Sequence, residues 1–205
     1  MGRSAPGRLG GPTEARILPL GRPSRRYTPR VPIPLSHAPQ RPPDFVWFIY
    51  GSSLDRDSFL PWAREHGYAV PGFERGYAAR LDGFRLAFEV ASRYWNGAVG
   101  SLAPAAGSHV EGLALPLEGS LRSLADHKEG AATGLYVAAD VLVAPLRGGP
   151  PTAAVAYVAS PDRRLPEEGR PAALWLEAVI RGARAAGLSE AWLTTLERLR
   201  GPPAP

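Results

Sequence analysis

The stretch Phe48-Ile49-Tyr50-Gly51-Ser52-Ser53-Leu54 decides how this chain folds. It overlaps a run of five apolar or aromatic residues, which is the pattern of a short strand buried on both faces. A glycine and two hydroxyl residues follow, and then Asp55 and Asp57, which both favour the start of a helix. The sequence therefore predicts a strand, a tight loop and a helix over 58–66 that is capped at Asp57.

The loop after this strand is a candidate anion-binding site. Successive backbone N–H groups around a glycine turn can point outward together and hold a carboxylate or an oxyanion. The candidate substrate-binding residues are Tyr50, Gly51, Ser52, Ser53 and Leu54. A Gly-Ser-Ser turn is also compatible with an ordinary connection, and Tyr50 with a core position, so both interpretations stay open. A serine hydrolase is not favoured, because no Gly-x-Ser-x-Gly motif surrounds the two serines.

A second motif lies downstream. It is the segment Leu124-Ala125-Asp126-His127-Lys128-Glu129-Gly130, followed by Gly134-Leu135-Tyr136. The loop resembles the Tyr-Gly-Ser-Asn-Leu signature of the γ-glutamylcyclotransferase family, which includes AIG2-like proteins. The downstream segment is similar to that family's Leu-Asp-x-x-Glu-Gly and Gly-x-Tyr, in the same order and at a fitting separation. The resemblance covers about residues 44–199.

The resemblance implies an α+β fold, a small, mixed and mostly antiparallel β-barrel with flanking helices. Residue patterns predict strands over 77–81, 84–88, 95–99, 110–115, 135–143 and 152–158, and helices over 58–66, 120–129, 171–186 and after Ser189. Asp82-Gly83 is expected to form a hairpin-type or kinked corner. The family pattern makes the strands at 95–99 and 110–115 a hairpin in the barrel wall.

The resemblance also implies an activity. A γ-glutamyl amine cyclises to 5-oxoproline when its own α-amine attacks its γ-carbonyl, and the attached amine is released. Because the nucleophile belongs to the substrate, the reaction needs no cofactor and no metal. The protein has to orient a flexible small molecule, move protons and stabilise an oxyanion.

In the family, the glutamate of the second motif is the catalytic acid/base, and it corresponds to Glu129 here. If the helix ends at Gly130, the carboxylate lies at the negative end of the helix macrodipole, which raises its pKa. Burial would raise the pKa further and would suit proton transfer near neutral pH. From the residues alone, Glu129 could instead be a solvated side chain at a charged helix end.

Two aromatic residues match pocket positions of the family, Tyr157 on a late strand and Trp175 on the longest helix, although either could be a core residue. Two departures from the family pattern matter. Ser53 replaces the family's Asn and is shorter, which could change affinity or specificity. Ala125 stands where the family has Asp directly after Leu, so no role is carried over to Asp126.

The 205 residues include no cysteine and four histidines. Disulfides and thiolate metal sites are therefore excluded, and the histidines show no metal-ligand spacing. No apolar run approaches the roughly 18 residues of a membrane span, and residues 1–43 lack the apolar centre of a signal peptide. We expect a cytoplasmic protein with no membrane contact, and the sequence does not predict its oligomeric state.

The net charge of +5 belongs to the N-terminal residues. Residues 1–43 hold eight Arg and one Glu, whereas 44–205 hold 16 basic and 18 acidic residues. The domain itself therefore offers no electrostatic reason to expect nucleic acid. Ten Pro and five Gly in 1–43 predict a disordered tail, because such a segment cannot bury enough surface to become ordered. The folded domain is expected over 44–200, followed by a frayed end at 201–205.

Other functions stay open. The chain could be a non-catalytic or differently catalytic member of the fold, because a fold does not determine a function. It could act as a binding or adaptor protein through its basic, proline-rich tail. Retention of Glu129 argues against a catalytically inactive member.

Deletion of residues 1–43 should leave the melting temperature and any cyclotransferase activity essentially unchanged, because a disordered segment contributes little to a core. Thermal unfolding and turnover of the full and shortened chains test this prediction. A large loss of either quantity would show that the tail packs on the domain.

Overall fold

The computed structural model describes residues 45–69 and 72–201, which form five strands and four α-helices. The strands are β1 (Phe45–Ile49), β2 (Tyr77–Ser92), β3 (Gly97–Leu117), β4 (Tyr136–Pro145) and β5 (Thr152–Ala159). The helices are α1 (Arg56–Glu65), α2 (Arg122–Lys128), α3 (Ala173–Ala185) and α4 (Glu190–Arg198). The predictions for residues 1–43 and for 202–205 lie outside the described residues.

The strands close into a barrel in the order β1-β3-β2-β4-β5. β1 is antiparallel to β3 and parallel to β5, and the other neighbouring strands are antiparallel. The expected fold, a mixed and mostly antiparallel barrel with flanking helices, is therefore confirmed. In this part of the chain, no helix is long and apolar enough to cross a membrane.

β1 is paired on both edges within the barrel wall, and nearly all of its side chains are buried. Trp47 pairs with Val155 of β5, and Ile49 pairs with Leu113 of β3. Since β1 is held on both edges, the chain that follows Ile49 emerges at a fixed place at one end of the barrel. This is the loop that carries the first motif.

The strand predicted in two pieces, 77–81 and 84–88, is continuous and forms β2. Its pairing with β3 shifts between Asp82 and Phe84. Gly83 has a φ of +81°, a conformation that glycine adopts at little steric cost. Of the two predicted alternatives, the Asp-Gly signal therefore marks a kink within a strand and not a hairpin turn.

The predicted hairpin of 95–99 and 110–115 is wrong, because residues 97–99 and 110–115 belong to the same strand, β3. β3 pairs instead with β2, and the turn between these two strands contains Asn96 with a φ of +51°. The middle of β3, residues 103–109, is mostly exposed. It therefore lacks the apolar alternation that reveals a strand, and its conformation follows from pairing with β2.

α1 begins at Arg56, so Asp55 and not the predicted Asp57 precedes it. The Asp55 carboxylate accepts hydrogen bonds from Ser58 Oγ at 2.7 Å and from the Arg181 guanidinium at 2.6 Å. These side-chain bonds connect the start of α1 to α3, and thereby fix the end of the loop.

α3 packs closely on the same loop. Its apolar stripe, which includes Trp175, Val179 and Ile180, is buried as the sequence predicted. A Cβ atom added at Gly182 would lie only 2.3 Å from the carbonyl carbon of Leu54. The absence of a side chain at Gly182 therefore allows the helix to approach the loop backbone and to hold it in place.

Candidate active site

A cavity of about 760 Å³ opens beside the loop that follows β1. The loop, α1, the β2–β3 turn, the end of α2 and α3 all contribute to its wall. The lining residues discussed below are Tyr50, Gly51, Ser52, Ser53, Trp62, Arg93, Lys128, Glu129, Tyr136, Tyr157 and Trp175. The cavity thus brings together the sequence-predicted site residues except Leu54, whose side chain is buried in the core.

Glu129 lies at the C-terminal end of α2, where Gly130 has a φ of +64° and ends the helix. Leu124 and Ala125 hold this helix against the core, since both are fully buried. Ser53 Oγ donates a hydrogen bond to Oε1 of Glu129 at 3.1 Å. The two sequence motifs therefore meet in the cavity.

Glu129 has a pKa of about 7, raised from its ordinary value of 4.5. Burial is the largest cause, and the hydrogen bond from Ser53 and the positive charge of Lys128 partly oppose it. The sequence argument started from the helix end and added burial, and desolvation by burial is the larger cause in the folded protein. A carboxyl group with such a pKa can take up and return a proton near neutral pH.

Three residues of the loop that line the cavity have backbone donors without a main-chain acceptor in the described part of the chain. The N–H groups of Leu54 and Asp55 donate to the carbonyl oxygens of Gly51 and Ser52, both at 3.0 Å, and close a tight turn. The N–H groups of Gly51, Ser52 and Ser53 donate to no main-chain acceptor within residues 45–69 and 72–201. These three groups are therefore the candidate anion donors, and the Leu54 N–H is not.

Gly51 faces the indole ring of Trp175. A Cβ atom added at Gly51 would lie 3.6 Å from this ring, which is an ordinary van der Waals contact. The φ of Gly51 is −103°, which any residue can adopt. Glycine is therefore not needed here for the backbone conformation, and its contribution is the open space between the loop and Trp175.

Two tyrosine hydroxyls inside the barrel are held by main-chain acceptors. Tyr50 donates to the carbonyl oxygen of Tyr157, and Tyr136 donates to the carbonyl oxygen of Gly100 at 2.8 Å. Burial raises the pKa of Tyr50 and of Tyr136 well above the ordinary value. Both side chains therefore stay neutral, and they support the site without adding charge near Glu129.

Tyr157 is also committed to a partner. Its hydroxyl donates to Oδ1 of Asp126 at 2.5 Å, and its ring lies edge-on to Trp47. Burial is the main cause of its raised pKa. We therefore expect Tyr157 to shape the cavity wall rather than to bind substrate through its hydroxyl. The same bond gives Asp126 a structural role, whereas the family resemblance carried no role over to this residue.

Trp62, Lys128 and Tyr136 are among the cavity residues that sequence reasoning did not single out. Lys128 and Tyr136 stand inside the second motif, so their place in that motif was the available signal. Trp62 had no such signal, because its position at the cavity depends on how α1 packs against α2.

Comparisons with a family model and with solved structures support the resemblance that the two sequence motifs indicated. Residues 109–196 match the model of the AIG2-like family. A solved structure named gamma-glutamyl cyclotransferase is 22% identical, with a TM-score of 0.63, over 78% of this chain and 90% of that one. A human protein described as uncharacterized is 22% identical, with a TM-score of 0.64 and the same coverage. YkqA from Bacillus subtilis is 22% identical over 76% of this chain and 54% of YkqA, with a TM-score of 0.62. No match to a curated protein was found.

The fold is therefore that of a γ-glutamylcyclotransferase-like α+β barrel with a carboxyl-containing cavity. The resemblance to the γ-glutamylcyclotransferase family and its AIG2-like members, which two short motifs indicated, is confirmed.

Proposed function

We propose that the protein cyclises a γ-glutamyl amine to 5-oxoproline and releases the amine, with Glu129 as the general acid/base. The observation that carries this proposal is the contact between Ser53 and Glu129. Through this contact, a carboxyl group with a pKa of about 7 shares a cavity with Gly51, Ser52 and Ser53, whose N–H groups have no main-chain acceptor among the described residues. A proton acceptor next to an anion cradle is what this ring closure requires.

The reaction begins with proton removal. The α-ammonium of the substrate cannot attack until it loses a proton, and ionised Glu129 accepts that proton. The free amine then forms a bond to the γ-carbonyl carbon, and the carbonyl oxygen becomes an oxyanion. The cavity has to hold the chain folded for this five-membered ring closure, which is an orientation effect.

The second half of the reaction breaks the bond between the γ-carbon and the leaving nitrogen. The ring nitrogen loses a further proton, and the leaving nitrogen gains protons and departs as an ammonium ion. Both protons come from the α-nitrogen, so the reaction is balanced without an external acid. A group with a pKa near 7 can serve in both directions, whereas an ordinary glutamate is a weaker base and would accept the proton of the ammonium poorly.

A panel of γ-glutamyl amines tests this function directly. The protein should form 5-oxoproline and an equal amount of free amine from at least one member of the panel. A matched panel of α-glutamyl amines should give no product through this site, because the α-amine and the scissile carbonyl are then too close to close the same ring. Absence of 5-oxoproline from every γ-glutamyl compound would overturn the proposal.

Activity should depend on the ionisation of Glu129. Because the base form is required, kcat/KM should fall as the pH drops below the Glu129 pKa of about 7. The hydrogen bond from Ser53 favours the ionised carboxylate and so lowers the Glu129 pKa. Ser53→Ala removes this bond and should therefore move the midpoint upward. Rates measured from about pH 5 to about pH 9 check both statements. A midpoint near the ordinary value of 4.5, or no shift in the variant, would contradict them.

A further inference from the structure

We propose that Lys128 binds the α-carboxylate of the substrate, so that Lys128 and Glu129 together recognise the zwitterionic α-amino acid head group. This inference rests on the proposed function and extends it to a residue with no assigned role. It also divides the anionic oxygens of the substrate between two parts of the site, with the loop N–H groups receiving the γ-carbonyl oxygen.

Lys128 is the only lysine in the chain, and the other basic residues among the 24 are arginines. It lines the cavity directly beside Glu129. A lysine ammonium is a compact charge with three donors, whereas an arginine presents a rigid planar fork. The one compact cation of this sequence thus stands next to the candidate catalytic carboxyl group.

The surroundings of the Lys128 ammonium leave it available for an anion. Its Nζ atom lies 4.5 Å from the ring centroid of Trp62 and 5.7 Å from that of Phe59. These ring faces hold the cation in place without neutralising its charge. Among the residues that the structure describes, no carboxylate forms an ion pair with Lys128.

Two arginines near the loop and α2 are already committed to carboxylates. Arg181 is paired with Asp55 at 2.6 Å, and Arg122 with Asp126 at 3.2 Å. Lys128 is partly desolvated, and burial is the main cause of its lowered pKa. A bound carboxylate would offset this desolvation, because an opposite charge favours the ammonium form.

The charges of the two neighbouring residues complement the substrate. An α-amino acid head group carries an ammonium and a carboxylate on one carbon atom. Glu129 offers a proton acceptor to the ammonium, and Lys128 offers charge-assisted hydrogen bonds to the carboxylate. With the carboxylate held by Lys128, the oxyanion that develops on the γ-carbonyl can be received by the N–H groups of Gly51, Ser52 and Ser53, which have no main-chain acceptor among the described residues.

Binding of two related rings tests this assignment without requiring turnover. 5-Oxoproline keeps the α-carboxylate of the substrate, and 2-pyrrolidinone is the same ring without it. Lys128→Met keeps the length and the contact with Trp62 but removes the charge. We expect 5-oxoproline to bind about 10- to 100-fold more weakly to this variant, as for loss of a charged hydrogen bond. The affinity for 2-pyrrolidinone should change by less than about threefold.

The matched control is Arg93→Met, which removes the same charge from an exposed residue elsewhere in the cavity wall. It should leave the affinity for 5-oxoproline within about threefold of the parent. Lys128→Arg should restore part of the affinity that Lys128→Met loses. For a γ-glutamyl substrate that the parent protein converts, Lys128→Met should raise KM far more than it lowers kcat.

The outcomes separate this inference from the proposed function. If the parent forms 5-oxoproline but Lys128→Met binds it as tightly as the parent does, the Lys128 assignment is wrong and the cyclotransferase remains. If Lys128→Met binds 5-oxoproline and 2-pyrrolidinone more weakly than the parent by the same factor, Lys128 supports the shape of the cavity and does not bind the carboxylate. If no γ-glutamyl compound is turned over but 5-oxoproline binds through Lys128, the proposed activity fails while the carboxylate site stands. A parent that neither turns over substrate nor binds 5-oxoproline overturns both.

Discussion

Glu129→Gln should lower turnover by about 10²- to 10⁴-fold, the usual range for loss of a general acid/base. Glutamine has nearly the same shape and can still accept the hydrogen bond that Ser53 Oγ donates at 3.1 Å. It cannot accept a proton from the substrate ammonium near neutral pH. The expected loss is therefore chemical, and it should appear in kcat under saturating substrate with little change in the affinity for 5-oxoproline.

The matched control is Glu65→Gln, which makes the same change at an exposed carboxylate that also lines the cavity. It should retain most of the activity.

The melting temperature of Glu129→Gln at pH 8 should be at least as high as that of the parent. Because the folded pKa of about 7 lies above the ordinary value of 4.5, the Glu129 carboxyl group lowers the stability of the folded state as the pH rises between these two values, and the full loss is present at pH 8. Near-normal turnover in a folded Glu129→Gln protein would remove Glu129 from the mechanism.

The fold was predictable where local pattern and burial agree. β1 and α3 carry uninterrupted or periodic apolar residues, and both lie where the sequence placed them. β3 was not predictable as one strand, because residues 103–109 contain Pro104 and Gly107 and are mostly exposed. The strand continues there because β2 supplies hydrogen-bonding partners that are distant along the chain.

The site residues that belong to the two short sequence motifs were predictable. These motifs indicated the loop and Glu129, which meet through Ser53. That burial would be the largest cause of the raised Glu129 pKa was not predictable, since desolvation depends on how the folded chain surrounds the end of α2. The partner of Tyr157 was not predictable either, because its hydroxyl donates a hydrogen bond from β5 to Asp126 on α2.

Gly51→Val should reduce turnover by at least about 10²-fold, as expected when an oxyanion loses its backbone donors. The variant should fold, because φ at this position is −103° and a Cβ atom would make only an ordinary contact with Trp175 at 3.6 Å. The two additional methyl groups of valine, however, would project into the space between the loop and the indole ring. We expect them to keep the ligand away from the loop N–H groups.

A series of substitutions separates an anion cradle from an ordinary turn. Gly51→Ala adds only the Cβ atom and should cost less than about tenfold in turnover, well short of Gly51→Val. Ser53→Ala removes one hydroxyl and leaves the backbone donors in place, so its effect should also be mild. Ser53→Asn restores the residue of the family signature and should be tolerated.

Binding measurements decide whether the Gly51 effect arises at the loop. Gly51→Val should weaken both 5-oxoproline and 2-pyrrolidinone, because both rings carry the carbonyl oxygen that the loop N–H groups would hold. This pattern differs from that of Lys128→Met, which should affect only the ring with a carboxylate. Calorimetry measures both affinities, and circular dichroism establishes that the variant is folded. If folded Gly51→Val binds both rings as tightly as the parent, the loop is not the oxyanion site, and the N–H groups of Gly51, Ser52 and Ser53 belong to an ordinary turn.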